Sequence, residues 1–221
     1  MSHSVLSRAA RRLGLARPPR RHRGGREEPA PFYDALYREP GAYRVPYSES
    51  FYYFLWAVIA DRLRRDRLAR VLEVGCGPGQ LAAFLLDQGA SAYAGVDFSP
   101  AAVELARGNA PGGLFVVADA RTTDLHERFD HDAVVCTETL EHIADDLAVV
   151  ARFRPGRRCL CSVPNFPYDG HVRHFADASE VVARYGPYFE ALDVLTLPSP
   201  RSRDDRFFLF DGVRNTFGAS S

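Results

Sequence analysis

The chain has 221 residues, 46% of them hydrophobic, and no apolar run near the roughly 18 residues a membrane-spanning helix needs, which excludes a helical integral membrane protein. A mass of 24.6 kDa suits one sizeable core with appendages rather than two independent domains. The formal net charge is zero, but it is unevenly distributed. Residues 1 to 26 carry eight arginines and no acid, so the rest of the chain is acidic by the same amount. An acidic body repels a phosphate backbone, which weighs against a nucleic acid partner.

All 28 basic residues are arginine, the mark of GC-rich codon usage and of a high-GC bacterium. Cys76, Cys136, Cys159 and Cys161 form no C-x-x-C pair and fit a reducing, cytoplasmic setting. Residues 1–28 read as a disordered arginine-rich tail, with a mitochondrial presequence as the weaker alternative because Pro18, Pro19, Gly24 and Gly25 break any helix early. Residues 29–69 read as an N-terminal helical lid, with helices over 32–38 and 48–65, the second presenting Tyr52, Leu55, Trp56, Ile59 and Leu63 on one face. Tyr33, Tyr37, Tyr43 and Tyr47 are further lid candidates.

From residue 70 onward short apolar strands alternate with helices: strands over 71–74, 92–96, 114–117, 133–136 and 158–163, and helices over 79–88, 100–107 and 139–152. After a loop at 164–175 come a short helix near 177–185 and two apolar runs, 189–197 and 206–213, that read as an antiparallel hairpin. The fold class expected for 70–221 is α/β, doubly wound and Rossmann-like, with a mostly parallel seven-stranded sheet and an antiparallel last strand.

The segment Val71-Leu-Glu73-Val-Gly75-Cys76-Gly77-Pro-Gly79 runs from a buried strand through three alternating glycines into a helix. Glycines permit positive φ and close approach of a ligand to backbone amides. A dinucleotide fingerprint requires G-x-G-x-x-G, whereas the third glycine here comes one position earlier. Asp97 ends the second strand, where a carboxylate can accept both hydrogen bonds of a ribose diol, and Asp119 ends the third.

With an acidic residue before G-x-G-x-G, this stretch resembles the class I S-adenosylmethionine-dependent methyltransferases over about residues 70–165. The resemblance implies S-adenosylmethionine as cofactor, held by Glu73, Gly75, Cys76, Gly77, Gly79, Asp97, Phe98, Asp119, Ala120 and Thr137, with Asp119 meeting the adenine amino group. It implies methyl transfer to an oxygen or nitrogen of a small-molecule acceptor.

A helix starting near 138 would place Glu138, Glu141 and His142 on one face, where they could hold a divalent cation or supply a base. This E-x-x-E-H spelling resembles two families associated with a metal there, the ubiquinone-biosynthesis O-methyltransferases and the small-RNA 2′-O-methyltransferases. Oxygen-rich ligation by Glu138, Glu141 and His142 points to Mg²⁺ or Mn²⁺. His171 and His174, on the loop after the fifth strand, are the candidate catalytic residues. A metal-free packing role for the Glu-His pair and a base without metal remain open. Two other functions also do: a metal-dependent RNA 2′-O-methyltransferase in which Glu138, Glu141, His142 and His174 ligate, and a non-catalytic cofactor-binding module. The oligomeric state is left open.

Overall fold

The computed structural model describes residues 25–216. The arginine-rich tail expected over 1–28 lies outside the described residues up to position 24, whereas Glu27 and Glu28 are packed onto the body.

Seven strands form one sheet: β1 (Arg70–Val74), β2 (Ala92–Asp97), β3 (Leu114–Val117), β4 (Ala133–Thr137), β5 (Arg158–Pro164), β6 (Phe189–Pro198) and β7 (Arg206–Arg214). Their spatial order is β3-β2-β1-β4-β5-β7-β6. β1 to β5 pair in parallel, while β7 inserts antiparallel between β5 and β6. The expected doubly wound, Rossmann-like sheet with an antiparallel last strand is therefore present. The chain order reverses between β1 and β4, and in such a sheet ligands bind at the carboxyl ends of the strands flanking that point.

The strands read as continuous apolar runs because both faces are covered, and the pleat sorts their residues into two cores. Val71, Val135, Leu160, Phe207 and Leu209 pack on one face with helices α2 (Tyr53–Arg65), α3 (Gln80–Asp87) and α4 (Pro100–Asn109). Leu72, Val134, Cys161, Phe208 and Phe210 pack on the other with α5 (Leu125–Arg128), α6 (Asp146–Arg152) and α7 (Ala178–Tyr185). Cys136, Cys159 and Cys161 are fully buried and behave as small hydrophobes. Helix α1 (Ala30–Arg38) lies on α4, with Tyr33 and Tyr37 against Ala101 and Ala102. No helix among the described residues is long and apolar enough to cross a membrane.

Two expected helices are broken. The segment 48–65 divides at Ser50 into a 3₁₀ turn (Tyr47–Glu49) and α2. More consequentially, the helix expected over 139–152 is a 3₁₀ turn (Leu140–His142) followed by the separate α6, and Glu138 has a positive φ of 50°. The cause is tertiary. Arg173 donates to the carbonyls of Leu140 and Ile143 from Nη1 and of Ala144 from Nη2, and the Glu141 carbonyl accepts from the amide of Val172. Carbonyls engaged in this way are unavailable to an i→i−4 ladder.

Asp146, fully buried at the start of α6, collects the second wing of this network. It accepts from Arg184 Nε at 2.9 Å and from the Tyr185 hydroxyl at 2.7 Å, and Arg173 Nη1 lies 3.1 Å away. Asp146→Ala strands three donors around an empty site, and we expect it to lower unfolding free energy by on the order of 3 kcal/mol, read by urea denaturation. An unchanged midpoint would show that the network contributes nothing net.

Candidate active site

The loop after β1 is shaped by contacts that only glycine admits. A Cβ on Gly75 would lie 2.2 Å from Thr139 Oγ1, and one on Gly79 2.7 Å from the Ala106 backbone, and both residues have a φ of 76°. The amides of Gly75 and Cys76 both donate to the Val96 carbonyl, tying the loop to β2. Cys76 fills the space over Gly95, where an added Cβ would meet its side chain at 2.8 Å. At the end of β2, Asp97 accepts from the Gly77 amide at 2.9 Å and from the Ser99 amide at 2.9 Å. Each carboxylate oxygen thereby keeps acceptor capacity for a hydroxyl. Burial raises its pKa to about 6 against the lowering effect of those two amides. Glu73, beside it in the cavity wall, accepts from the Tyr93 hydroxyl at 2.5 Å and is pushed up to about 8 by burial.

These residues open onto a cavity of about 930 Å³ at the carboxyl ends of β1, β2 and β4. Every residue expected to hold the cofactor lines it except Gly79, which begins α3 just beneath. Asp119 differs in one respect from what the resemblance implies. Its carboxylate is engaged by Arg121, whose Nη2 lies 2.6 Å from Oδ2, and this guanidinium holds it below the usual carboxylate range. Arg121 also reaches Glu27 at 3.2 Å.

The N-terminal elements close the cavity. Gln80 Nε2 donates to the carbonyls of Val45 (2.6 Å) and Ala42 (3.2 Å), and Asp34 accepts from the Ser99 hydroxyl (2.5 Å) and the Ala101 amide (3.1 Å) at the start of α4. Of the lid tyrosines, Tyr33, Tyr37 and Tyr43 line the cavity, whereas Tyr47 turns away to donate to Asp87 at 2.8 Å.

Beyond the glycine loop lie the acids that follow β4. Glu138 accepts from the Ser162 hydroxyl at 2.8 Å, and burial raises it to about 8, opposed by Ser162 and Arg201. Glu141 is wholly buried, and neither of its carboxylate oxygens has a hydrogen-bond partner. Burial, then the nearby Glu138, drives its pKa well above the ordinary value. The Nε2 atoms of His142 and His171 each lie 3.9 Å from Glu141 Oε1. His171 Nδ1 donates to the Phe166 carbonyl at 3.1 Å, which leaves its Nε2 as a lone pair facing Glu141. Tyr33 orients His142 through a 3.0 Å hydrogen bond to Nδ1. Burial lowers His142 to about 4 and His171 to about 3, so both are neutral at pH 7.

Among the described residues, one group of three could hold a metal ion: Glu141, His142 and His171. The grouping differs from the two sets the sequence suggests. Glu138 is not part of the trio: it accepts from Ser162, and the helix that would have aligned it with Glu141 and His142 does not form. His174 is exposed and does not line the cavity. Arg121 and Arg201 line the cavity without having been assigned from sequence, and Tyr33, expected there only as a lid residue, also bonds His142. For Tyr33 the signal was its place among the lid tyrosines, and for Arg121 its spacing of two from Asp119.

Residues 71–156 match a family model described as a methyltransferase domain. The chain is 41% identical over 88 residues to a ubiquinone biosynthesis O-methyltransferase of Neisseria meningitidis serogroup C, a match covering 37% of this chain and 36% of that protein. It is 36% identical over 107 residues to the enzyme of that name from Xylella fastidiosa, covering 44% and 42%. The matched stretch is thus less than half the length of these relatives. Two solved structures share the fold. The magnesium protoporphyrin IX methyltransferase of Synechocystis with S-adenosylhomocysteine bound has a TM-score of 0.60 at 16% identity, over 82% of this chain and 93% of that one. The Burkholderia thailandensis 1,6-didemethyltoxoflavin N1-methyltransferase, with its acceptor and S-adenosylhomocysteine, has a TM-score of 0.58 at 22% identity, over 72% and 76%. The glycine loop, Asp97 at the end of the second strand and the strand order agree with the matched domain, and residues 71–156 form a methyltransferase domain of the class I S-adenosylmethionine-dependent type.

Proposed function

We propose that this protein transfers the methyl group of S-adenosylmethionine to a hydroxyl oxygen of a small-molecule acceptor. The observation that carries the reading is the pairing, in one cavity, of the glycine loop and Asp97 with the buried, cavity-facing carboxyl of Glu138. An amine attacks through a lone pair it already has, whereas a hydroxyl must lose a proton as it attacks, so a carboxyl poised near neutral pH favours oxygen. The O-methyltransferase names of the relatives agree. The acids lining the cavity argue against a polyphosphate acceptor.

In this mechanism Asp97 binds the ribose hydroxyls, and the loop amides and the lid exclude water and orient the sulfonium. S-adenosylmethionine, when bound, would supply an electrophilic methyl carbon to the acceptor oxygen, the electron pair of the carbon–sulfur bond leaving on sulfur. The hydroxyl proton passes to the Glu138 carboxylate, which Ser162 holds in place. The unpartnered Glu141 carboxyl and the two neutral imidazoles beside it fit a divalent cation. Glu141, His142 and His171 would hold that ion, and its chemistry would be to lower the pKa of the acceptor hydroxyl. One oxygen and two nitrogens suit Mn²⁺ better than Mg²⁺.

Asp97→Ala is expected to weaken S-adenosylhomocysteine binding by about 10- to 150-fold, the equivalent of about 1.5–3 kcal/mol, measured by calorimetry. The ionised carboxylate is the binding form and its pKa is about 6, so wild-type affinity should fall as pH drops from 7 through 6 to 5. A flat profile would contradict the ribose role. Glu138→Gln should lower kcat by about 10²–10⁴ while leaving S-adenosylhomocysteine affinity unchanged. Mn²⁺ should bind the protein without acceptor present, and Glu141→Gln should weaken it by about 10- to 100-fold. Equal Mn²⁺ binding by wild type and variant would remove the trio as a metal site.

A further inference from the structure

Arg201 sits in the turn between β6 and β7 and lines the cavity. Its guanidinium carbon lies 4.4 Å from the Tyr168 ring centroid and 4.7 Å from that of Phe166, so two aromatic faces hold the group in place. Within the described residues it makes no guanidinium hydrogen bond, and its one ion pair, to Asp205, is long at 3.9 Å. Five N–H donors in a fixed fork are thus positioned but unused. The other arginine of the cavity wall, Arg121, is engaged by Asp119 and Glu27. The wall also carries the acids Glu138, Glu141 and Asp169 and the aromatics Phe51, Tyr52 and Trp56.

We propose that Arg201 recognises a carboxylate on the acceptor, and that the acceptor is a planar aromatic hydroxy acid whose ring lies among the cavity aromatics. This rests on the methyl-transfer reading and narrows it to a substrate class. A single guanidinium neutralises one negative charge, and a doubly charged phosphate would leave an uncompensated charge among the acids. The cofactor's own carboxylate is the weaker candidate for this fork. Arg201 stacks on the loop that follows β5, close enough to Glu138 to lower its pKa, whereas the glycine loop follows β1. The arrangement places an anchor on one side of the acceptor ring and the Glu138 carboxyl within the same wall, which fixes which hydroxyl meets the methyl group.

The chain has one tryptophan, Trp56, and it lines this cavity, so its fluorescence reports occupancy without turnover. The protein saturated with S-adenosylhomocysteine is titrated with 3-hydroxybenzoate, 3-hydroxybenzamide and 3-hydroxyphenyl phosphate, and the titrations are repeated on Arg201→Gln and Arg201→Lys. We expect the benzoate to bind at least about tenfold more tightly than the amide, Arg201→Gln to erase that preference, and Arg201→Lys to restore part of it. Calorimetry should give the same S-adenosylhomocysteine affinity for wild type and variants. Equal binding of benzoate and amide, tighter binding of the phosphate, no quenching by any probe, or a preference that survives Arg201→Gln would overturn the assignment while leaving methyl transfer standing. Weakened S-adenosylhomocysteine binding by Arg201→Gln would give the fork to the cofactor and likewise overturn it. A wild-type protein that failed to bind S-adenosylhomocysteine at all would overturn both readings.

Discussion

The missing side chain at Gly75 sets the spacing of the whole cavity. Thr139 occupies the volume where a Cβ would stand, so the segment after β4 packs directly on the loop after β1. Thr139 Oγ1 then donates to the Thr137 carbonyl at 3.0 Å, and Glu138 takes up left-handed geometry next to it. A methyl group on residue 75 would push the two segments apart, and with them the glycine loop and the acids after β4 that line the same cavity. Reacting atoms must approach to roughly 3–3.5 Å for transfer, so a displacement of one ångström at this contact would matter more than the loss of any single hydrogen bond.

The cavity wall concentrates acids that burial keeps close to neutrality. Glu73 and Glu138 are held near 8 and Asp97 near 6. A sulfonium cation entering such a wall favours the ionised forms and would release protons as it binds. After transfer the sulfur is neutral and that attraction is gone. The electrostatics thus distinguish substrate from product at the one atom where they differ, and a wall already ionised at rest would do so less sharply.

The features legible in the sequence are those whose determinants are local. The alternation of apolar runs with helices gives the sheet, and the spacing of Gly75 and Gly77 with Asp97 at the next strand end marks one wall of the cavity. The acceptor side was only half legible. Glu138, Glu141 and His142 have helical spacing, but the carbonyls of Leu140, Glu141, Ile143 and Ala144 are claimed by Arg173 and Val172, more than 25 residues away, and no local pattern reports that. The same tertiary contacts bring His171 to Glu141 and leave His174 outside, although the two histidines look alike in sequence. Arg201 is one arginine among several in a polar turn, and its position over Phe166 and Tyr168 follows from how the last two strands dock.

That docking bears on how the molecule assembles. β7 lies between β5 and β6, so the hairpin formed by the final two strands joins the sheet through contacts distant in sequence from β5. Until it does, β5 presents an unpaired edge flanked on both faces by apolar side chains, a surface that invites pairing with another chain. Because Arg201 rides in the hairpin's turn, the event that shields this edge also delivers the guanidinium to the cavity. A molecule caught short of that step could hold the glycine loop and Asp97 in place yet lack its grip on the acceptor, so the capacity to bind cofactor would arise earlier in folding than the capacity to choose a substrate.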